Sequence, residues 1–310
     1  MQTTLAGPVS FAGRALHSGI RTRLTLFPAP AGNGIVFRRT DLASGDTRIP
    51  ALWTQVAASS LCTRIGSGPA SVSTIEHLMA ALAGCGIVNA RVDIDGPEVP
   101  ILDGSAAPFV RGILDAGLRR QDAPLHGIRV LSPIEVRDGA AMARLDPAEA
   151  LEIDFGIEFA GTAIGAQAKR LGMANGAFVH ELSNSRTFCL LADVESMRAR
   201  GLARGGSFEN ALVFEGARLL SPGGLRHPDE PVRHKMLDAL GDLALAGAPL
   251  LARYTGRRAG HALTAALLRA LFAQPQAWEW VELGTAALAR LPGAGLGLPP
   301  QTAQPLPVSA

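Results

Sequence analysis

The segment Arg233 to Ala246, RHKMLDALGDLALA, decides the reading of this chain, because it sets His234, Asp238 and Asp242 at successive i, i+4 steps. On a helix these three form one slowly drifting stripe, while Met236, Leu237, Leu240 and Leu243 fall mostly around the other side. The helix is then amphipathic, with an imidazole and carboxylates on its polar edge. A histidine followed one turn later by a carboxylate is a metal-ligand spacing, since two ligands one turn apart reach a single ion. The same spacing also describes a salt-bridging polar face. The segment alone leaves both readings open, and the rest of the chain has to supply the missing ligands.

Length and composition narrow the class. At 310 residues and 47% apolar content, the chain is long enough for two ordinary domains with real cores. The formal net charge of +2, with both signs mixed along the chain, offers no basic tract for nucleic acid or a membrane surface. Cys62, Cys85 and Cys189 are odd in number, far apart and without a CxxC, so neither a disulfide framework nor a thiolate metal site is suggested and a reducing cytoplasm fits. The N-terminal residues carry no signal-peptide pattern, and the longest apolar run, Leu78 to Val88, is interrupted by Gly84 and Gly86. A cytoplasmic protein without a transmembrane segment is expected.

Outward from the central segment, the patterns suggest an α+β fold made of two similar domains, each a layered β-sheet with two helices, the helices packed inward between the sheets, with small inserts. The first domain covers 1–122 and opens with short strands such as the alternating RTRLTLF of Arg21 to Phe27. Ser73 to Ala83, STIEHLMAALA, is predicted helical, and Ser73 with Glu76 makes an S-x-x-E capping box. Glu76 is therefore either a cap or a carboxylate beside a metal-binding His77. Ile101 to Gly117 opens with a Gly-Ser loop and continues as a helix, and RRQDAPLHG, Arg119 to Gly127, is the candidate linker.

The second domain covers 127–290. Strands are predicted at Ile128 to Val136, Met142 to Leu145 and Leu151 to Phe159, with Asp146-Pro147 as a turn. A strand-helix-strand element is expected as an insert near 187–214. Leu191, Val194, Met197, Phe208 and Val213 in or near it are candidates for an apolar channel or for ordinary core. Thr187 precedes it, as an oxyanion donor or a buried turn residue. Leu250 to Tyr254 reads as a short strand, and His261 as a loop residue ahead of the helix Ala262 to Phe272. His17, in the loop GRALHSG, is a further imidazole held in reserve, and residues 291–310 form a Pro-rich tail.

Two histidines and one carboxylate, with a position left to water, are the count of a catalytic zinc site, because structural sites are usually closed by four protein ligands. His77, His234 and Asp238 supply it, with Glu76 as base. Lys235 and His261 would face the substrate, and Asp242 would hold the His261 imidazole charged.

The segments GRALHSG, STIEHLMAAL, PILDGSAAPF, SRTF, GGSF, VRHKMLDALGDL and GHAL, in this order over most of residues 4 to 290, closely resemble the bacterial UDP-3-O-acyl-N-acetylglucosamine deacetylases. The resemblance implies a one-zinc amidase that removes acetate from UDP-3-O-acyl-N-acetylglucosamine, the committed step of lipid A synthesis in Gram-negative bacteria. A monomer is expected, although no residue pattern in the sequence bears on the oligomeric state. It puts the zinc ligands on His77, His234 and Asp238, the general base on Glu76, and the acid or electrostatic histidine on His261 supported by Asp242. By the same resemblance Thr187 polarises the acetyl carbonyl, Lys235 reaches the substrate's polar head and Phe188 lies beside the sugar. Leu191, Val194, Met197, Phe208 and Val213 hold the acyl chain, while Glu158 and Phe159 lie near the uridine. Two departures stand out: Arg258, a candidate substrate contact, replaces a common lysine, and Asp146 stands where a basic residue near the diphosphate is expected. The competing classes are a non-haem iron enzyme, whose close H-x-D pairing is absent, and a nucleotide-sugar-binding protein with a structural ion, which leaves Glu76, Thr187 and His261 without work.

Overall fold

A computed structural model describes residues 1–43, 47–59 and 61–296. Its first sheet runs, in spatial order, Val9–Arg14, Arg21–Pro28, Ala90–Ile94, Ile35–Arg39 and Arg48–Pro50. Its second runs Ile134–Asp138, Ala141–Pro147, Leu250–Arg257, Glu152–Phe159 and Gly165–Gly172. Neighbour by neighbour, both sheets pair antiparallel, antiparallel, parallel, antiparallel. The repeated α+β layout expected of two similar halves is therefore present in the strand order itself. Leu250–Arg257 also pairs through its first residues with His126–Val130, which carries Trp278–Glu282 on its outer edge.

Each half inserts one helix before and one after its central strand. Helices α1 (Glu76–Gly84) and α2 (Ala107–Ala116) flank Ala90–Ile94. The chain then forms α3 (Leu191–Ala199), and α4 (Glu230–Leu243) and α5 (His261–Phe272) flank Leu250–Arg257. Alternation in the strands sends Leu24 and Leu26 from the first sheet, and Ile153, Phe155 and Ile157 from the second, into one continuous core. Helix α1 is buried on nearly every side, as its almost uninterrupted EHLMAALAG demands. It packs chiefly on α4. That close crossing requires Gly241, because a Cβ there would lie 2.0 Å from the Glu76 carbonyl oxygen. Among the described residues no helix is long and apolar enough to cross a membrane.

Several local expectations need correction. Helix α1 begins at Glu76 without a side-chain cap, and the Glu76 carboxylate instead accepts the Thr63 N–H at 3.0 Å, so the capping box does not form. A buried carboxylate with a backbone donor elsewhere has no reason to fold back on its own helix. The start of the candidate linker belongs to the strand Leu118–Gln121, which pairs with Gln2–Leu5, because closing the first half against its own N-terminus satisfies both backbones. Asp146 and Pro147 continue a strand rather than turn, which the strand tolerates because Pro147 is its last residue. Ile128 to Val136 divides into two strands around Leu131–Pro133, and His261 is the first residue of α5. Gly165–Gly172 and Trp278–Glu282, strands absent from the sequence reading, complete the second sheet. Of the Pro-rich tail, 297–310 lie outside the described residues.

Candidate metal centre and active site

Where α1 crosses α4, His77, His234 and Asp238 converge, all buried, with one ligand atom from each within 4.8 Å of the others. His234 Nε2 lies 3.3 Å and His77 Nε2 3.6 Å from Asp238 Oδ1. The imidazoles stand nearly perpendicular with centroids 4.9 Å apart, so both can direct an edge nitrogen at one point. His234 Nδ1–H donates to the Ser185 carbonyl at 3.0 Å, which fixes the tautomer and leaves Nε2 as the lone-pair nitrogen.

Whether this donor set suits a divalent cation follows from what its atoms lack. Asp238 Oδ1 is buried without a hydrogen-bond partner among the described residues, while Oδ2 accepts Lys235 Nζ at 2.8 Å. A buried, unpartnered carboxylate oxygen facing two imidazole nitrogens is costly unless a cation sits there. Protonation states agree. Burial pushes His234 down to about 4, so it is neutral at physiological pH, and although burial opposes ionisation of Asp238, His234 and Lys235 hold it well below the usual carboxylate range. The three residues fit a metal ion.

Beside them stands a proton-handling pair. Burial raises the Glu76 carboxyl above its ordinary value, with the nearby His261 and His77 opposing. Burial disfavours charge on His261 too, yet Asp242 and then Glu76 outweigh it and raise the imidazole to about 9. The geometry explains this: His261 Nδ1–H donates to Asp242 Oδ2 at 2.9 Å, and Nε2 lies 3.9 Å from Glu76 Oε1. Lys235 is likewise kept charged, burial opposing and Asp238 favouring the ammonium.

A cavity of about 590 Å³ opens from His234, Lys235, Asp238 and His261 and continues past Thr187 and Phe188 between the walls of the insert. There Phe188–Leu190 pairs parallel with Leu212–Glu215, and α3 makes the crossover. Leu191, Val194, Met197, Phe208 and Val213 all line it, so these residues enclose space instead of filling core. Thr187 is pinned between the two halves of the chain, its N–H bound to the Gly104 carbonyl and its own carbonyl to the Leu212 N–H, each at 2.8 Å. Gly104 is obligatory in that seat: its φ is +84° and a Cβ would meet the Asn210 carbonyl oxygen at 1.9 Å.

The residues assigned to the polar end of the substrate divide. Phe159 lines the cavity and its ring meets that of Phe188 at 5.4 Å, edge to face. Glu158 and Arg258 do not line it; both are half exposed and form an ion pair with each other. Asp146 is clasped by Arg144 at 2.7 Å and Arg253 at 3.3 Å, which hold its carboxyl below the usual range, so the positive charge on this strand pair comes from its neighbours. Two residues near the site were missed or left unassigned. His17 borders the same cavity, with both ring nitrogens buried and unpartnered among the described residues; its GRALHSG loop was the available sign. Thr63 touches both Glu76 and Asp242, and no spacing in the sequence marks it.

Residues 2–273 match the family model described as UDP-3-O-acyl N-acetylglycosamine deacetylase. The UDP-3-O-acyl-N-acetylglucosamine deacetylase of Phenylobacterium zucineum (strain HLK1) is 53% identical over 279 residues, 90% of this chain and 95% of the relative. That of Anaeromyxobacter sp. (strain Fw109-5) is 49% identical over 300 residues, covering 96% and 97%, and that of Myxococcus xanthus (strain DK1622) 48% over 296 residues, covering 96% and 93%. With the match spanning both halves, the crossed helices and the insert, the chain belongs to the UDP-3-O-acyl N-acetylglycosamine deacetylase family.

Proposed function

We propose that this protein is a zinc-dependent amidohydrolase that removes acetate from UDP-3-O-acyl-N-acetylglucosamine in the cytoplasm, the committed step of lipid A biosynthesis. The observation that carries the reading is the unpartnered Asp238 Oδ1 facing two imidazoles, set directly beside Glu76 and His261 at the head of an apolar cavity. Zinc held by His77, His234 and Asp238 would supply Lewis acidity to a water molecule and to the acetamide carbonyl.

The protein's own groups do the rest. Glu76, its pKa raised by burial, is the base that takes a proton from the attacking water. Thr187 and Lys235 line the cavity, and in this reading the hydroxyl of the first holds the oxyanion and the ammonium of the second the polar head. His261, kept protonated by Asp242, gives its proton to the departing nitrogen as the C–N bond breaks, leaving acetate and a free amine. Leu191, Val194, Met197, Phe208 and Val213 take the 3-O-acyl chain, which lets the active centre recognise a lipid from a soluble fold. Phe188 and Phe159 form the aromatic wall for sugar and uracil, with Glu158 and Arg258 further out. The two halves, 1–122 and 127–290, act as domains that each contribute one side of the centre. Metal analysis of the purified protein together with an acetate-release assay on the UDP-sugar tests the reading; full activity after exhaustive chelation, or no acetate released by the zinc-loaded protein, would sink it.

A further inference from the structure

Thr63 lies just ahead of the strand Arg64–Ser67, in the first half of the chain, and is buried. All three of its polar groups are spent on the active centre. Its N–H donates to Glu76 Oε2 at 3.0 Å, its hydroxyl donates to Asp242 Oδ1, and its carbonyl accepts the N–H of Ile75, which precedes α1, at 3.3 Å. Each carboxylate is thereby gripped by its outer oxygen. The inner oxygens are left to do the work: Glu76 Oε1 faces His261 Nε2 at 3.9 Å, and Asp242 Oδ2 accepts His261 Nδ1–H at 2.9 Å.

We infer that Thr63 is a positioning residue that locks the base Glu76 and the Asp242–His261 pair into one register across the two halves of the protein. The inference rests on the deacetylase reading above and adds to it a residue that touches neither the substrate nor the metal ligands. A carboxylate on a helix turns freely about its last torsion unless its second oxygen is held. Here the two carboxylates sit on different helices, Glu76 on α1 and Asp242 on α4. One residue bonded to both converts two independent rotors into a fixed pair, which is what preorganised proton transfer requires. A hydroxyl is essential to this role and the methyl group is not, so serine can replace threonine while the isosteric valine cannot.

The test compares Thr63→Val and Thr63→Ser in the zinc-loaded full chain, with acetate release, metal content, thermal unfolding and the His261 Nδ1–H proton signal measured for each. Removing a hydrogen-bond partner of a metal ligand typically costs on the order of 10- to 100-fold, and a loss of the same order is expected where the partners held are the base and the Asp242–His261 pair. The expected result for Thr63→Val is therefore a loss of that size in kcat, with KM and metal content close to wild type and the His261 proton signal displaced or broadened. Thr63→Ser is expected to recover most of the rate. Wild-type turnover in Thr63→Val would overturn the inference, as would a Thr63→Ser protein as slow as the valine variant, because the loss would then track packing and not the hydroxyl. A wild-type protein that releases no acetate would instead strike at the functional reading itself, so the two failures are distinguishable.

Discussion

Replacing Asp242 by asparagine keeps the shape and an acceptor oxygen but deletes the charge that faces His261. The size of the effect follows from the site. The imidazole is held at about 9 against an ordinary value of 6.5, although burial alone would push it below that value. The difference corresponds to about 3 kcal/mol in favour of the charged ring, at about 1.4 kcal/mol per pH unit. Asp242 is the leading favourable cause, at 2.9 Å and nearly buried. A full charge within about 4 Å at an effective dielectric near 20 is worth about 4 kcal/mol, so Asp242 can account for nearly all of the gain. In metal-free Asp242→Asn, His261 should titrate at or below its ordinary value, so the share of charged ring at pH 7.5 drops from nearly all to about a tenth or less. Histidine ¹⁵N NMR across pH 5 to 10 reads this directly. Loss of a positioned acid costs on the order of a hundredfold or more, and acetate release by the zinc-loaded variant should fall by that factor with its alkaline limb moved to lower pH. A His261 that still titrates near 9 in the variant, or turnover within a few-fold of wild type, would refute the reasoning.

Other outcomes follow from the same geometry. Glu76→Ala should keep its metal and lose orders of magnitude in turnover, whereas His234→Ala should lose the metal; metal analysis beside the acetate assay separates the two. The raised pKa of His261 stabilises the metal-free fold fully below about pH 6.5, and that contribution, about 3 kcal/mol, disappears as pH rises through about 9. Urea melts of wild type should therefore weaken over that interval, and those of Asp242→Asn should be flatter. Gly241→Ala drives a methyl group into the Glu76 carbonyl and should cost about 1–3 kcal/mol in a urea melt, together with metal affinity. Shortening the substrate's acyl chain by four methylenes should lower kcat/KM by roughly two-hundredfold, at about 0.8 kcal/mol per buried CH₂; an unchanged constant would remove the insert from acyl binding.

The amino-acid sequence by itself determined the helical spacing of His234, Asp238 and Asp242, the apolar α1 behind Glu76 and His77, and the alternation of strands such as Arg21–Pro28 and Glu152–Phe159, though not Gly165–Gly172 or Trp278–Glu282. Those are local properties: a 3.6-residue or 2-residue period reports which side chains share a face without reference to anything distant. The sequence could not say whether Glu76 caps its helix or faces His261, because the choice depends on the Thr63 N–H, thirteen positions away in the chain. Nor could it distinguish Leu191, Val194 and Met197 as cavity walls from the same residues as core, since apolar side chains look alike whether they meet protein or enclosed space. Only the tertiary structure joined Thr63 to Asp242 across 179 positions and set two imidazoles from opposite halves about one unpartnered carboxylate oxygen. The physical reason is that a buried charge is tolerable only with its partners in place, and in this chain those partners come from the crossing of α1 and α4, which no local period encodes.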